Sequence, residues 1–109
     1  MGDIYTSGSW KPNPGSEDVF VEAWTEFATW ATGVEGAGTL RLLRDLKEPD
    51  RYVSFGDWES EGAARAWKDL PEFRERLAHV LQHVAEFHST NLTVVASAEA
   101  GASARAALA

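Results

Sequence analysis

Residues 39–58, TLRLLRDLKEPDRYVSFGDW, decide how this chain folds. Two strand-like runs, Thr39–Asp45 and Arg51–Trp58, flank Leu46-Lys-Glu-Pro-Asp50. That connection is of hairpin length and carries turn residues, so the stretch predicts an antiparallel strand pair. Successive side chains of a strand point to opposite faces of its sheet. Val53 and Phe55 therefore point one way and Tyr52 and Trp58 the other, while Leu40 and Leu42 oppose Leu43. A sheet with helices on one face and water on the other alternates apolar with polar residues. Here both faces carry apolar side chains, and both need cover.

Upstream, Ile4–Trp10 reads as a strand ended by Lys11-Pro-Asn-Pro-Gly15. Ser16 stands at a helix N-cap position with Glu17 and Asp18 behind it, and Phe20, Ala23, Trp24, Phe27, Trp30 and Ala31 recur at helical spacing. Gly33–Gly38 follows a helix and precedes a strand, the reverse of a phosphate-binding turn, and is read as a connection. Downstream, Ser60 opens a short helix through Ala64 and Trp67, and Pro71 starts a renewed one. The stripe then runs through Phe73, Leu77, Val80, Leu81, Val84 and Phe87, and Asn91–Ala96 reads as a closing strand. The order βαββαβ predicts an α+β, ferredoxin-like domain: a four-stranded antiparallel sheet with its helices on one face. Those helices cover one face only. A second copy of the sheet is the simplest cover for the other, which predicts a homodimer; aggregation of an exposed face is the alternative.

The 109 residues fit one domain, expected over 1–98, with an alanine-rich tail at 99–109 expected to be disordered. A formal net charge of −7 argues against nucleic-acid binding. Cysteine is absent, which removes thiol chemistry and cysteine-ligated metal. The first ten residues lack a signal pattern and no apolar run reaches membrane-spanning length, so a cytoplasmic protein away from membranes is expected. His79 and His83 stand four apart on the predicted helix, but on the flank of its stripe and without an obvious third ligand. His88 falls within the stripe near the predicted helix end, where it could face a cavity as a proton acceptor. Tryptophan is the compositional outlier, with five residues.

The first strand, the Pro14-Gly15 turn before the first helix, the strand ending in Trp58-Glu59-Ser60, then Trp67 and the Pro71-Glu72-Phe73 helix together resemble the antibiotic biosynthesis monooxygenase domain family over about residues 3–97. The resemblance implies a dimeric α+β barrel with a cavity between each sheet and its helices. It also implies activities such as cofactor-free oxygenation of aromatic anthrones, haem degradation, or oxidation of small quinones. For the anthrone oxygenases, Trp58 matches a pocket tryptophan, while Ser54 stands where they carry asparagine and Ala64 where they carry tyrosine. For the haem-degrading relatives, Trp67 matches, but Ser9 and Leu77 replace an asparagine and the iron-ligating histidine.

Cofactor-free oxygenation needs an electron-rich substrate anion, because triplet oxygen reacts poorly with closed-shell carbon. A dry aromatic pocket with a few hydrogen-bond donors meets that need without flavin, haem or metal, with molecular oxygen as co-substrate. Trp58, Trp67, Trp24 and Phe27 are the expected walls around a flat aromatic ligand. Tyr52, Ser54 and Arg41 are the expected donors and His88 the candidate base. A non-catalytic or cyclase-like ligand-binding dimer is the competing reading.

Overall fold

In the computed structural model, which describes residues 3–100, the hairpin consists of β2 (Ala37–Arg44) and β3 (Tyr52–Trp58). Leu43 pairs with Val53 and Leu42 with Ser54. Asp45 organises the turn: its carboxylate accepts the backbone N–H groups of Lys47 at 2.8 Å and Glu48 at 3.1 Å. Those two bonds favour the ionised form and hold the Asp45 carboxyl below the usual carboxylate range.

The other elements are β1 (Ile4–Pro12), α1 (Glu17–Ala31), α2 (Glu61–Asp69), α3 (Pro71–Leu81) and β4 (Val84–Thr93). The sheet order is β2-β3-β1-β4 and every pair is antiparallel, the ferredoxin-like arrangement. Ser60 caps α2 by accepting the Ala63 N–H at 3.0 Å. Ser16 precedes α1 without a side-chain cap bond; its carbonyl accepts from Phe20 at 2.8 Å. Leu70 is extended, as a residue before proline must tend to be, and Pro71 then begins α3.

The boundary between the last helix and the closing strand differs most from the sequence reading. The final helix ends at Leu81, and the closing strand is Val84–Thr93 rather than Asn91–Ala96. Val84 and Phe87, spaced three apart like helix residues, belong to β4. The register explains the mimicry. Lys11 pairs with Glu86 but Pro12 pairs with Val84, so an irregularity skips Ala85. The skip turns Val84 onto the same face as Phe87, which pairs with Trp10. An interrupted strand thus reproduces a helical period. The expected disordered tail falls mainly on residues 101–109, outside the described residues.

Thr6, Gly8, Trp10 and Pro12 of β1 are buried on the face that carries the helices. Phe20, Trp58 and Val80 are fully buried at the centre of the core. On the opposite face Leu43, Phe55 and Leu92 are 48%, 39% and 44% exposed. Apolar side chains thus occupy both faces, as the strand parity predicts.

Candidate active site

The helix-covered face of the sheet forms the floor of a cavity. Register places Gly8 between Ser54 on β3 and Ser89 on β4, and Thr6 beside Gly56. All five line the cavity. Gly8 is needed for space: a Cβ there would lie 2.7 Å from Trp10 Nε1 and 2.9 Å from Ser54 Oγ. These two groups are bonded to each other, Trp10 Nε1 donating to Ser54 Oγ at 2.9 Å. A parallel bond runs from Trp58 Nε1 to Thr6 Oγ1 at 3.1 Å. Each indole occupies a hydroxyl lone pair and leaves the hydroxyl proton available to a ligand.

The walls are aromatic. Trp24 and Phe27 come from α1, Trp67 from α2, Phe73 and Leu77 from α3, and Phe87 from β4. Trp67 stacks on Trp58 at 4.6 Å and meets Phe73 edge-on at 4.7 Å. Its Nε1 is buried without a hydrogen-bond partner among the described residues. The cavity holds about 130 Å³. Among the described residues, Lys68 is the one lining residue with a formal charge. Its Nζ donates to Asn91 Oδ1 at 2.7 Å, and partial burial pushes its pKa below the ordinary lysine value.

Of the expected site residues, Trp67, Trp24, Phe27 and Ser54 line this cavity. The other four lie elsewhere. Trp58 is fully buried beneath Trp67, as support for the wall rather than its surface. Tyr52 shares a sheet face with Ser54 but packs against Phe20 at 5.2 Å, and its hydroxyl accepts from Arg44 Nε at 3.3 Å. Arg41 pairs with Phe55 across β2 and β3, which puts it on the opposite face of the sheet from Ser54, and it is exposed. His88 is a β4 residue paired with Ser9; with Lys11 and Glu86 it borders a separate polar depression. Its expected place in the cavity rested on the helix that ends at Leu81. Arg41 and His88 lie on the other face, Trp58 lies beneath the wall, and Tyr52 lies further along the same face.

The sequence from 4 to 79 matches the family model described as antibiotic biosynthesis monooxygenase. The chain belongs to this family. No match was found among curated proteins. Among solved structures, the fold is similar to that of SnoaB, a cofactor-independent oxygenase from Streptomyces nogalater. The identity is 15%, the match covers 89% of this chain and 97% of SnoaB, and the TM-score is 0.80. An antibiotic-biosynthesis-monooxygenase-type protein of Bordetella bronchiseptica is 22% identical, with 88% of this chain and all of the other covered, at a TM-score of 0.77. At these identities the likeness concerns the fold.

Within the antibiotic biosynthesis monooxygenase fold, this chain's cavity carries residues that the sequence reading did not select: Thr6, Gly8, Trp10, Lys68, Phe73 and Phe87. Even-numbered spacing along β1 was available as a signal for Thr6, Gly8 and Trp10. No comparable signal marks Lys68, whose neighbourhood depends on how α2 meets β4. Leu77 does line the cavity, and an aliphatic side chain supplies no donor for iron. His79 is exposed on the outer side of α3, and no cluster of three His, Asp or Glu residues suited to a metal occurs among the described residues. No described helix is long and apolar enough to cross a membrane.

Proposed function

We propose that this protein is a cofactor-independent monooxygenase acting on a flat aromatic, polyketide- or quinone-like metabolite, in the cytoplasm and as a homodimer. The observation that carries the reading is the cavity itself: aromatic walls from three helices and β4 over a floor of glycines and hydroxyls. Such a site covers a planar ring, excludes water, and presents donors where anionic charge develops.

The chemistry requires little else. The substrate enters as its anion, its phenolic hydroxyl or activated ring methylene having given a proton to solvent. The charge is shared between its oxygen and a ring carbon that still bears hydrogen. The anion passes one electron to O2, and the two radicals combine into a carbon-bound peroxide. Loss of water from the protonated peroxide leaves a carbonyl. One oxygen atom ends in the product and the other in water, and the ring carbon that becomes the carbonyl supplies the electrons. Ser54 and Thr6 are suited to donate to the anion's oxygen, with Trp24, Phe27 and Trp67 holding the ring. Dimerisation would cover Leu43, Phe55 and Leu92, whose exposure on one sheet face supports it.

Oxygen uptake with a panel of anthrones and hydroquinones tests the activity. Turnover with oxygenated product supports it; absence of turnover across the panel refutes it. A non-catalytic ligand-binding role is the second reading, favoured by the lack of any carboxylate or histidine lining the cavity among the described residues. It predicts tight binding with the ligand's mass unchanged.

A further inference from the structure

The cavity is small, and its polar groups are biased towards donors. Its volume of about 130 Å³ is close to the ~150 Å³ of an engineered cavity that accepts benzene, and well below the ~300 Å³ at which sites for larger ligands begin. The Ser54 and Thr6 oxygens already accept indole N–H groups, and Trp67 Nε1 is an unpaired donor. No carboxylate lines the space among the described residues. Lys68 stands there half-buried, bonded to the neutral amide oxygen of Asn91. No ion pair to Lys68 occurs among the described residues. In a chain of net charge −7, this is a local reversal of sign facing an apolar slot. A neutral acceptor offsets only part of the cost of removing an ammonium from water, whereas an anion forms a stronger charge-assisted bond.

We propose that the cavity selects a single-ring aromatic anion, a phenolate or hydroquinone monoanion, whose charged oxygen is held by Lys68 Nζ. The inference rests on the cavity assigned above and narrows the substrate class from flat aromatics in general to one ring with one ionised oxygen. The ring lies between the aromatic walls, and the oxygen reaches the rim where Lys68 meets Asn91. Lys68 is then a specificity-determining residue that acts on binding whether or not oxidation follows. Burial depresses the pKa of Lys68, and a bound anion would raise it again.

Tryptophan-fluorescence titrations with 4-nitrophenol at a pH where it is ionised, nitrobenzene, and 1,8-dihydroxyanthrone test this on the full chain. The phenolate is expected to bind at least tenfold more tightly than either of the others. Lys68→Met should weaken phenolate binding about tenfold, the worth of one charge-assisted bond at a partly solvated site. It should leave nitrobenzene unchanged, and Lys68→Arg should largely restore the phenolate. Equal binding of nitrobenzene, a preference for the three-ring compound, or indifference of phenolate binding to Lys68→Met would each overturn the proposal. Near-ultraviolet circular dichroism checks that Lys68→Met is folded; if it is not, the ligand comparison on the unmodified chain and Lys68→Arg decides. Selective phenolate binding without oxygen uptake would sustain this inference and remove the oxygenase reading, whereas turnover that ignores Lys68 would do the reverse.

Discussion

Trp58 and Trp67 stack on each other at 4.6 Å, with their planes 29° apart, yet their indole nitrogens are in opposite circumstances. Trp58 Nε1 donates to the buried Thr6 hydroxyl at 3.1 Å, while Trp67 Nε1 is buried without a partner among the described residues. Replacing each by phenylalanine removes the same two carbons and one nitrogen, a packing loss of roughly 1.6 kcal/mol at ~0.8 kcal/mol per buried carbon. In Trp58→Phe the lost bond adds about 1–3 kcal/mol, because Thr6 loses its donor in a dry place. In Trp67→Phe the same ~1–3 kcal/mol has the opposite sign, since an unsatisfied donor disappears. Trp58→Phe should therefore cost about 3–4 kcal/mol and Trp67→Phe nearly nothing. The packing term cancels in the comparison, which leaves a gap of about 2 kcal/mol or more between the variants. Urea denaturation followed by far-ultraviolet circular dichroism measures both, with a signal that does not depend on the fluorophore removed. If Trp67→Phe destabilises as much as Trp58→Phe, the asymmetry of the two nitrogens is not what distinguishes the pair.

Gly8→Ala should destabilise by about 1–3 kcal/mol through overpacking, because its Cβ would intrude on the Trp10–Ser54 bond. It should abolish ligand binding with it; a normal melting temperature would contradict this. Leu43→Asp places a charge in the apolar sheet face and should convert the expected dimer to monomer in sedimentation equilibrium, with a melting curve that still shows cooperative unfolding. Asp45 has a depressed folded pKa, so its contribution is present above the carboxylate's ordinary 3.8 and is lost as pH falls through the lower folded value. Asp45→Ala should accordingly flatten the acid limb of a melting-temperature profile; an unchanged limb would show that the turn bonds carry no linkage.

Much of the fold was legible because its signals are local. The Asp45–Asp50 connection, the parity of Leu42, Leu43, Val53 and Phe55, the Ser60 cap and the Pro71 restart all follow from spacing and turn chemistry within a few residues. The end of α3 was not legible, because the register shift opposite Lys11 and Pro12 gives Val84 and Phe87 a helical spacing inside a strand. That one misreading carried His88 into a cavity it does not face.

Residue identity and spacing by themselves determined that this chain is a βαββαβ-type domain with apolar groups on both sheet faces, and that aromatic side chains dominate its interior. Those properties depend on the side-chain period of each element and need no knowledge of distant contacts. Which aromatics form a surface and which lie beneath it was decided only by the tertiary structure. Trp10 enters the cavity because Gly8 and Ser54 leave it room, and Trp58 is withdrawn because Trp67 lies over it. Lys68 becomes a charge on the cavity because α2 packs where β4 brings Asn91 within 2.7 Å. Depth and electrostatic setting arise from residues far apart in sequence meeting in space, and no local pattern encodes them.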